Sequence, residues 1–153
     1  MSVVKVLMVC LGNICRSPMA EGILRQHVER AGVRIVVDSA GTSGYHAGEP
    51  PDFRAVRTLQ KKGIDISGLS ARQFTSKDFD DFHYIFVMDT SNMMNVLNLA
   101  RNEQDKSKVH LIMNLVNPDK NMSVPDPFYG SIEGFEEVYK MLDEASQIIV
   151  SKI

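Results

Sequence analysis

Cysteine is scarce in this chain: two stand among 153 residues, Cys10 and Cys15, and both fall in one short stretch. That excludes a fold built on several disulfides, and a single staple across so short a loop would stabilise little. The four histidines, His27, His46, His83 and His110, show no spacing suited to a metal ion. No apolar run reaches the length needed to cross a bilayer, and the start lacks a basic segment followed by a signal-type apolar core. The expectation is a cytoplasmic protein without a membrane partner. Charge of either sign is not in excess: the net value is −2, which gives no global attraction to nucleic acid. Internal repeats, low-complexity tracts and linkers are also missing, so residues 1–153 read as one domain. The hydrophobic share of 44% and charged share of 24% are ordinary for a globular chain with a good core.

What is there concentrates around the two cysteines. Residues 3–9 are an apolar segment that reads as a buried strand, and a helical pattern follows Pro18. Between them runs Cys10-Leu11-Gly12-Asn13-Ile14-Cys15-Arg16-Ser17. A tight turn from strand to helix N-terminus points successive backbone N–H groups inward, and such a nest binds a dianion. Gly12 and Asn13 are residue types that tolerate the dihedrals this needs. Arg16 carries a planar fork that can hold two phosphate oxygens at once. Cys10 lies at the base, where the same positive field favours a thiolate nucleophile. The spacing C-x5-R-S is similar to the signature of cysteine-dependent phosphatases.

The remaining chain alternates strand and helix. Ser17 is a good N-cap, Pro18 suits the first helical position and Glu21 the first turn. Ile23, Leu24, His27, Val28 and Ala31 then form an apolar face, and Gly32 ends the helix. Residues 34–38 contain a second strand, and 39–51 read as loop. Asp52 caps a helix to Lys62, residues 64–73 are irregular, and Ser76 caps a short helix through Phe82. Residues 84–88 form a third strand, 92–100 a helix, 106–108 a solvated turn and 109–113 a fourth strand. A polar loop follows over 117–130, then a long helix over 132–150 with Phe135, Val138, Leu142, Ala145 and Ile149 on one face. Such alternation implies an α/β fold with a parallel sheet and right-handed crossovers, with ligands at the carboxyl ends of strands. Cys10 sits at such an end.

In the late loop, Asp126 stands between Pro125 and Pro127. Phosphoryl transfer to a thiolate needs an acid for the leaving oxygen, and an Asp on a stiff loop can supply it; a plain Asp-Pro turn is the other reading. Phe128 and Tyr129 are either hydrophobic anchors of the loop or walls of a cleft. Asp89 opens a helix and reads first as an N-terminal helix acid.

The stretch VCLGNICRSPMAE, with PDPFYG far downstream, resembles the low-molecular-weight protein tyrosine phosphatase family in motif order and length over essentially the whole chain. The resemblance implies a three-layer, Rossmann-like α/β fold: a central four-stranded parallel sheet with helices on both faces. It implies hydrolysis of phosphotyrosine through a phosphocysteine intermediate, with Cys10 as nucleophile, Arg16 as oxyanion ligand and Asp126 as general acid. Leu11, Gly12, Asn13, Ile14, Cys15 and Ser17 would complete the phosphate loop. Asn13, Ser17 and Ser39 match positions of a network that fixes that loop, and Ser17 also matches a hydroxyl that eases thiolate departure. Tyr45, His46, Phe128 and Tyr129 fall where the family forms its specificity walls, and Cys15 where members carry a redox partner of the nucleophile. No cofactor or metal is implied. Implied partners are a tyrosine-phosphorylated protein as substrate, and inorganic phosphate or similar oxyanions as competitive ligands. The expected state is a monomer or weak dimer.

Three other readings stand beside this one. An arsenate reductase of the thioredoxin-coupled kind would need further cysteines after Cys15. A protein-arginine phosphatase of the same fold carries Thr before the second cysteine, where this chain has Ile14. A phosphotyrosine-binding module would have lost Cys10, Arg16 or Asp126. One departure from the family is visible: many members carry a His just before Ala71-Arg72-Gln73, where this chain has Gly68-Leu69-Ser70. A hydrogen bond to the Asn13 network is therefore expected to be missing or replaced.

Overall fold

Both faces of a parallel sheet must be covered, so its strands read as continuous apolar runs rather than alternating ones. The computed structural model describes residues 2–153 and shows that arrangement. Four strands, β1 (Val4–Cys10), β2 (Ile35–Gly41), β3 (Tyr84–Val87) and β4 (Val109–Leu111), form one parallel sheet in the order β2-β1-β3-β4. The helices are α1 (Arg16–Ala31), α2 (Phe53–Gln60), α3 (Asp78–Asp81), α4 (Thr90–Leu97), α5 (Glu103–Ser107) and α6 (Ile132–Lys152), with single 3-10 turns at Ile112–Leu115 and Pro127–Tyr129.

Alternate residues of β1 divide the core in two. Val6, Met8 and Cys10 pack with Met19, Ile23 and Leu59 and with Phe135, Val138, Leu142, Ala145 and Ile149 of α6. Leu7 and Val9 point the other way, toward Phe74, Phe79, Phe82 and Val96. The sheet is thus sandwiched, as expected, and the predicted apolar stripe of α6 is wholly buried. Central β1 delivers Cys10 to the carboxyl edge, paired in register with Gly41 of β2.

Several local expectations are corrected. Residues 39–41 belong to β2, because their backbone completes the pairing with residues 8–10. β4 stops at Leu111, and the chain tightens into a 3-10 turn where a longer strand is expected. The 106–108 turn is the end of α5, capped by Asn102, whose side chain accepts from Asp105 N–H at 2.8 Å. Asp52 caps α2 as the sequence suggests, while α4 starts at Thr90 and not Asn92, which makes Asp89 its N-cap. Ser17 does not cap α1, and Ser76 does not cap α3: the N-cap positions are Cys15 and Lys77.

Candidate active site

The turn from β1 to α1 forms the floor of a cavity of about 570 Å³. Cys10, Leu11, Gly12, Ile14, Cys15 and Arg16 line it from below, and Ser43, Tyr45, His46, Asp126, Phe128 and Tyr129 from the sides. Asn13 is the strained member of the turn, with φ 58°, a conformation that Asn tolerates better than most residues. Gly12 has no positive φ; a Cβ there would lie 2.9 Å from His46 Cδ2, so the imidazole would have to shift to admit a side chain.

Cys10 is 3% exposed. Its Sγ accepts from Asn13 N–H at 3.3 Å and lies 3.0 Å from Ser17 Oγ. Asn13 Nδ2 donates to Ser17 Oγ at 2.7 Å, and the Ser17 proton has two acceptors in reach, the sulfur at 3.0 Å and the Ala40 carbonyl at 3.4 Å. This is why Ser17 is not a cap: its hydroxyl is spent inside the loop. Asn13 Nδ2 also donates to Ser39 Oγ at 3.0 Å, and Ser39 donates onward to Glu21 Oε1 at 2.6 Å. Arg72 N–H closes the network on Asn13 Oδ1 at 3.0 Å.

Two members of that network escaped sequence reasoning. Glu21 is not a surface acid in the first helical turn; it is 2% exposed, and burial raises its pKa above the ordinary value although Ser39 and Arg25 oppose the shift. Arg72 enters through its backbone, held in place by side-chain bonds to Asp38 and Asp78. Together they resolve the departure at Leu69. No histidine is present there, yet every polar end of Asn13 has a partner, and Leu69 packs against the core instead. A signal for Glu21 did exist: four residues after Ser17, it shares that residue's inward helix face.

Arg16 is also 3% exposed, and its guanidinium is braced from behind. Nη1 donates to Asp89 Oδ2 at 2.7 Å and to the Val124 carbonyl at 2.9 Å, while Nη2 stands 3.6 Å from Asp126 Oδ2. Asp89 therefore does two things: Oδ1 caps α4 through Asn92 N–H at 2.7 Å, and Oδ2 orients Arg16. Asp126 accepts from Phe128 N–H at 3.1 Å, which makes it the cap of the 3-10 turn as well as a wall of the cavity.

Tyr45 and Tyr129 are 84% and 82% exposed and rise at the rim. Neither Phe128 nor Tyr129 anchors the loop in the core; Pro127 is the buried residue of that turn. His46 packs edge-on to Tyr45 and pairs with Glu49 at 3.0 Å. Burial, then the negative charges of Asp52, Cys10 and Asp126, push the Cys15 thiol strongly up, against a smaller opposing pull from Arg54; both cysteines are free. Among the described residues, no three His, Cys, Asp or Glu side chains group as a metal site, and no helix is long and apolar enough to cross a membrane.

A buried cysteine and a braced arginine at the mouth of a strand–helix turn define a class of oxyanion-handling enzymes, and comparison narrows the class. The family described as low molecular weight phosphotyrosine protein phosphatase matches residues 5–153. The low molecular weight phosphotyrosine protein phosphatase of Schizosaccharomyces pombe is 42% identical, with 98% of this chain and 97% of that protein aligned. Among solved structures, YfkJ from Bacillus subtilis superposes with a TM-score of 0.91 at 38% identity, covering 100% of this chain and 96% of that one. A protein tyrosine phosphatase from Entamoeba histolytica, crystallised with Hepes in its active site, superposes with a TM-score of 0.91 at 36% identity over 97% of this chain and 96% of that one. The chain belongs to the low molecular weight phosphotyrosine protein phosphatase family, and it is an enzyme of the phosphatase class.

Proposed function

We propose that this phosphatase hydrolyses phosphotyrosine on protein substrates, with Cys10, Arg16 and Asp126 as its reacting groups. One observation carries the reading: a sulfur and a guanidinium, both nearly sealed from solvent, face one cavity whose opposite wall bears a carboxylate. The phosphoryl group enters with its equatorial oxygens on the loop N–H groups and on Arg16, which exchanges its long contact with Asp126 for them. Cys10 Sγ attacks phosphorus in line, the S–P bond forms and the P–O bond to the tyrosine breaks. Asp126 gives its proton to the departing phenolic oxygen. Water then attacks the phosphocysteine, Asp126 takes a proton from it, and the S–P electrons return to Cys10, which Ser17 receives with a hydrogen bond. Leu11, Tyr45, His46, Phe128 and Tyr129 would hold the phenyl ring, whose reach suits a cavity with rim aromatics better than the short stem of phosphoserine does. The Hepes seen in the Entamoeba enzyme is a sulfonate, which supports oxyanion binding in a site of this kind.

The test is a comparison of phosphotyrosine, phosphoserine and phosphoarginine peptides with and without EDTA. Turnover should favour phosphotyrosine and be indifferent to the chelator. Cys10→Ser should abolish turnover and keep phosphate binding. Asp126→Ala should lower kcat/KM by about 100-fold or more for poor leaving groups and far less for good ones. Retained turnover in the serine variant, or uniform losses across leaving groups in the alanine variant, would sink the respective role.

A further inference from the structure

Asp126 caps a short 3-10 turn more than a hundred residues from Cys10 in sequence, yet the proposed chemistry needs it fixed relative to that residue. Its turn is not a wall of the core. Pro127 is buried, but Phe128 and Tyr129 are exposed. Arg54, in the first turn of α2, bridges the gap. Its Nη2 donates to the Phe128 carbonyl at 3.1 Å and its Nη1 reaches the Gly130 carbonyl at 3.4 Å. The guanidinium carbon lies 5.6 Å from the Phe128 ring centre and 4.8 Å from that of the buried Phe135. The other side of the fork holds Asp52, with Nε and Nη2 at 3.1 and 3.0 Å from its two carboxylate oxygens. Asp52 in turn donates its N–H to the Ile14 carbonyl of the phosphate loop at 2.7 Å. An unbroken path therefore runs from the phosphate loop through Asp52 and Arg54 to the two carbonyls that flank Tyr129. Arg54 does not line the cavity.

We propose that Arg54 is a positioning residue for the acid step: it fixes the turn that carries Asp126 against the phosphate loop. The planar fork is what this needs. One edge pairs with a carboxylate, the outer N–H groups reach two carbonyls, and the flat surfaces lie near two rings. Lysine offers a point charge without that shape. The inference rests on the reading of Asp126 as the general acid given under Proposed function.

The experiment measures kcat/KM for Arg54→Ala on p-nitrophenyl phosphate, whose leaving group needs little protonation, and on a phosphotyrosine peptide, whose leaving group needs much. The expected loss is about tenfold or more on the peptide and about twofold or less on the nitrophenyl ester, because a displaced acid fails only where an acid is required. In an Asp126→Ala background the Arg54 substitution should add less than about twofold, since both changes remove the same contribution. Inhibition by inorganic phosphate should stay within about twofold, because that binding belongs to the loop and Arg16. Arg54→Lys should show the same selectivity with a smaller amplitude, and it serves if the alanine variant does not fold. Arg57→Ala, one turn along α2 and packed on Phe53, is the neutral control. Equal losses on both substrates, full additivity with Asp126→Ala, or weakened phosphate inhibition would overturn the proposal. If Asp126→Ala itself shows no leaving-group dependence, the acid role fails first; if it does and Arg54→Ala does not, only the role of Arg54 fails.

Discussion

Replacing Asn13 separates two things that the phosphate loop needs: a left-handed backbone and a set of bonds. The side chain makes three hydrogen bonds, to Ser17, Ser39 and the Arg72 amide, and is 3% exposed. Each is worth about 0.5–1.5 kcal/mol net, so their loss costs about 1.5–4.5 kcal/mol. Alanine must also hold φ 58°, which adds about 1 kcal/mol. Asn13→Ala should therefore lose about 3–5 kcal/mol, a large part of the 5–15 kcal/mol typical of a domain. Asn13→Gly loses the same bonds without the steric cost and should be the milder by about 1 kcal/mol. Urea unfolding with unchanged slopes reads both values. The same pair should lower kcat/KM by about 10-fold or more, as loop amides lose their fixed aim at the oxyanion. If both variants unfold within about 1 kcal/mol of the parent, or glycine is the worse, the account of this loop is wrong.

Three further outcomes are expected. A Cβ on Gly41 would stand 2.8 Å from the Leu11 carbonyl and 3.1 Å from Asn13 N, both backbone atoms, so Gly41→Ala should cost about 1–3 kcal/mol and weaken phosphate inhibition; an inhibition constant equal to the parent's would show that the loop does not lean on β2. Burial raises the Glu21 pKa above its ordinary 4.5, so the stability that this group contributes is fullest below that pH and is lost as pH rises through the folded value; Glu21→Gln should remove that decline. Melting curves at low and high pH check this, and a gap between parent and variant that does not change with pH refutes it. Cys15 is offered as redox partner of the nucleophile: peroxide converts the Cys10 thiolate to a sulfenic acid, and the Cys15 thiol displaces water to leave a disulfide. Cys15→Ser should then make peroxide inactivation irreversible by added thiol, while full recovery in the variant would remove the role. Because its thiol is pushed up by burial, closure in the parent should be slow near neutral pH.

The parts legible in the sequence are those where one residue type answers one physical demand. Apolar runs of both-face-buried strands, the cap residue Asp52 and the α6 stripe all follow from local pattern, and the structure keeps them. The C-x5-R-S spacing carried the cavity floor for the same reason, since strand, turn and helix are contiguous. Asp126 shares that cavity although more than a hundred residues separate it from Cys10; its place between two prolines left a candidate acid beside a plain turn, and the resemblance added weight to the first. What stayed hidden depends on residues far apart in sequence. Ser17 reads as a cap until Asn13 and Cys10 claim its hydroxyl. Glu21 reads as a dipole acid until Ser39, eighteen residues on, donates to it. Residues 39–41 read as loop because Ser and Gly are turn formers, yet parallel pairing with β1 overrides that preference.

These hidden contacts explain how the two halves of the site differ. The Cys10 half is set into the sheet: Cys10 ends the central strand, and its supporting atoms come from the turn between β1 and α1, from α1 and from β2, within one buried network. Movement there would cost several buried hydrogen bonds at once, which suits groups that must already be aimed when the oxyanion arrives. The Asp126 half lies at the rim, on a turn with a single buried proline, held by Arg16 at Asp126, by Arg54 at the backbone and the Phe128 ring, and by His46 beside that ring. Asp126 lies 3.6 Å from Arg16, and in the proposed mechanism the entering phosphoryl group parts that pair. The division fits the proposed mechanism, in which one group waits in place while the other gives a proton to the leaving oxygen and takes another from water.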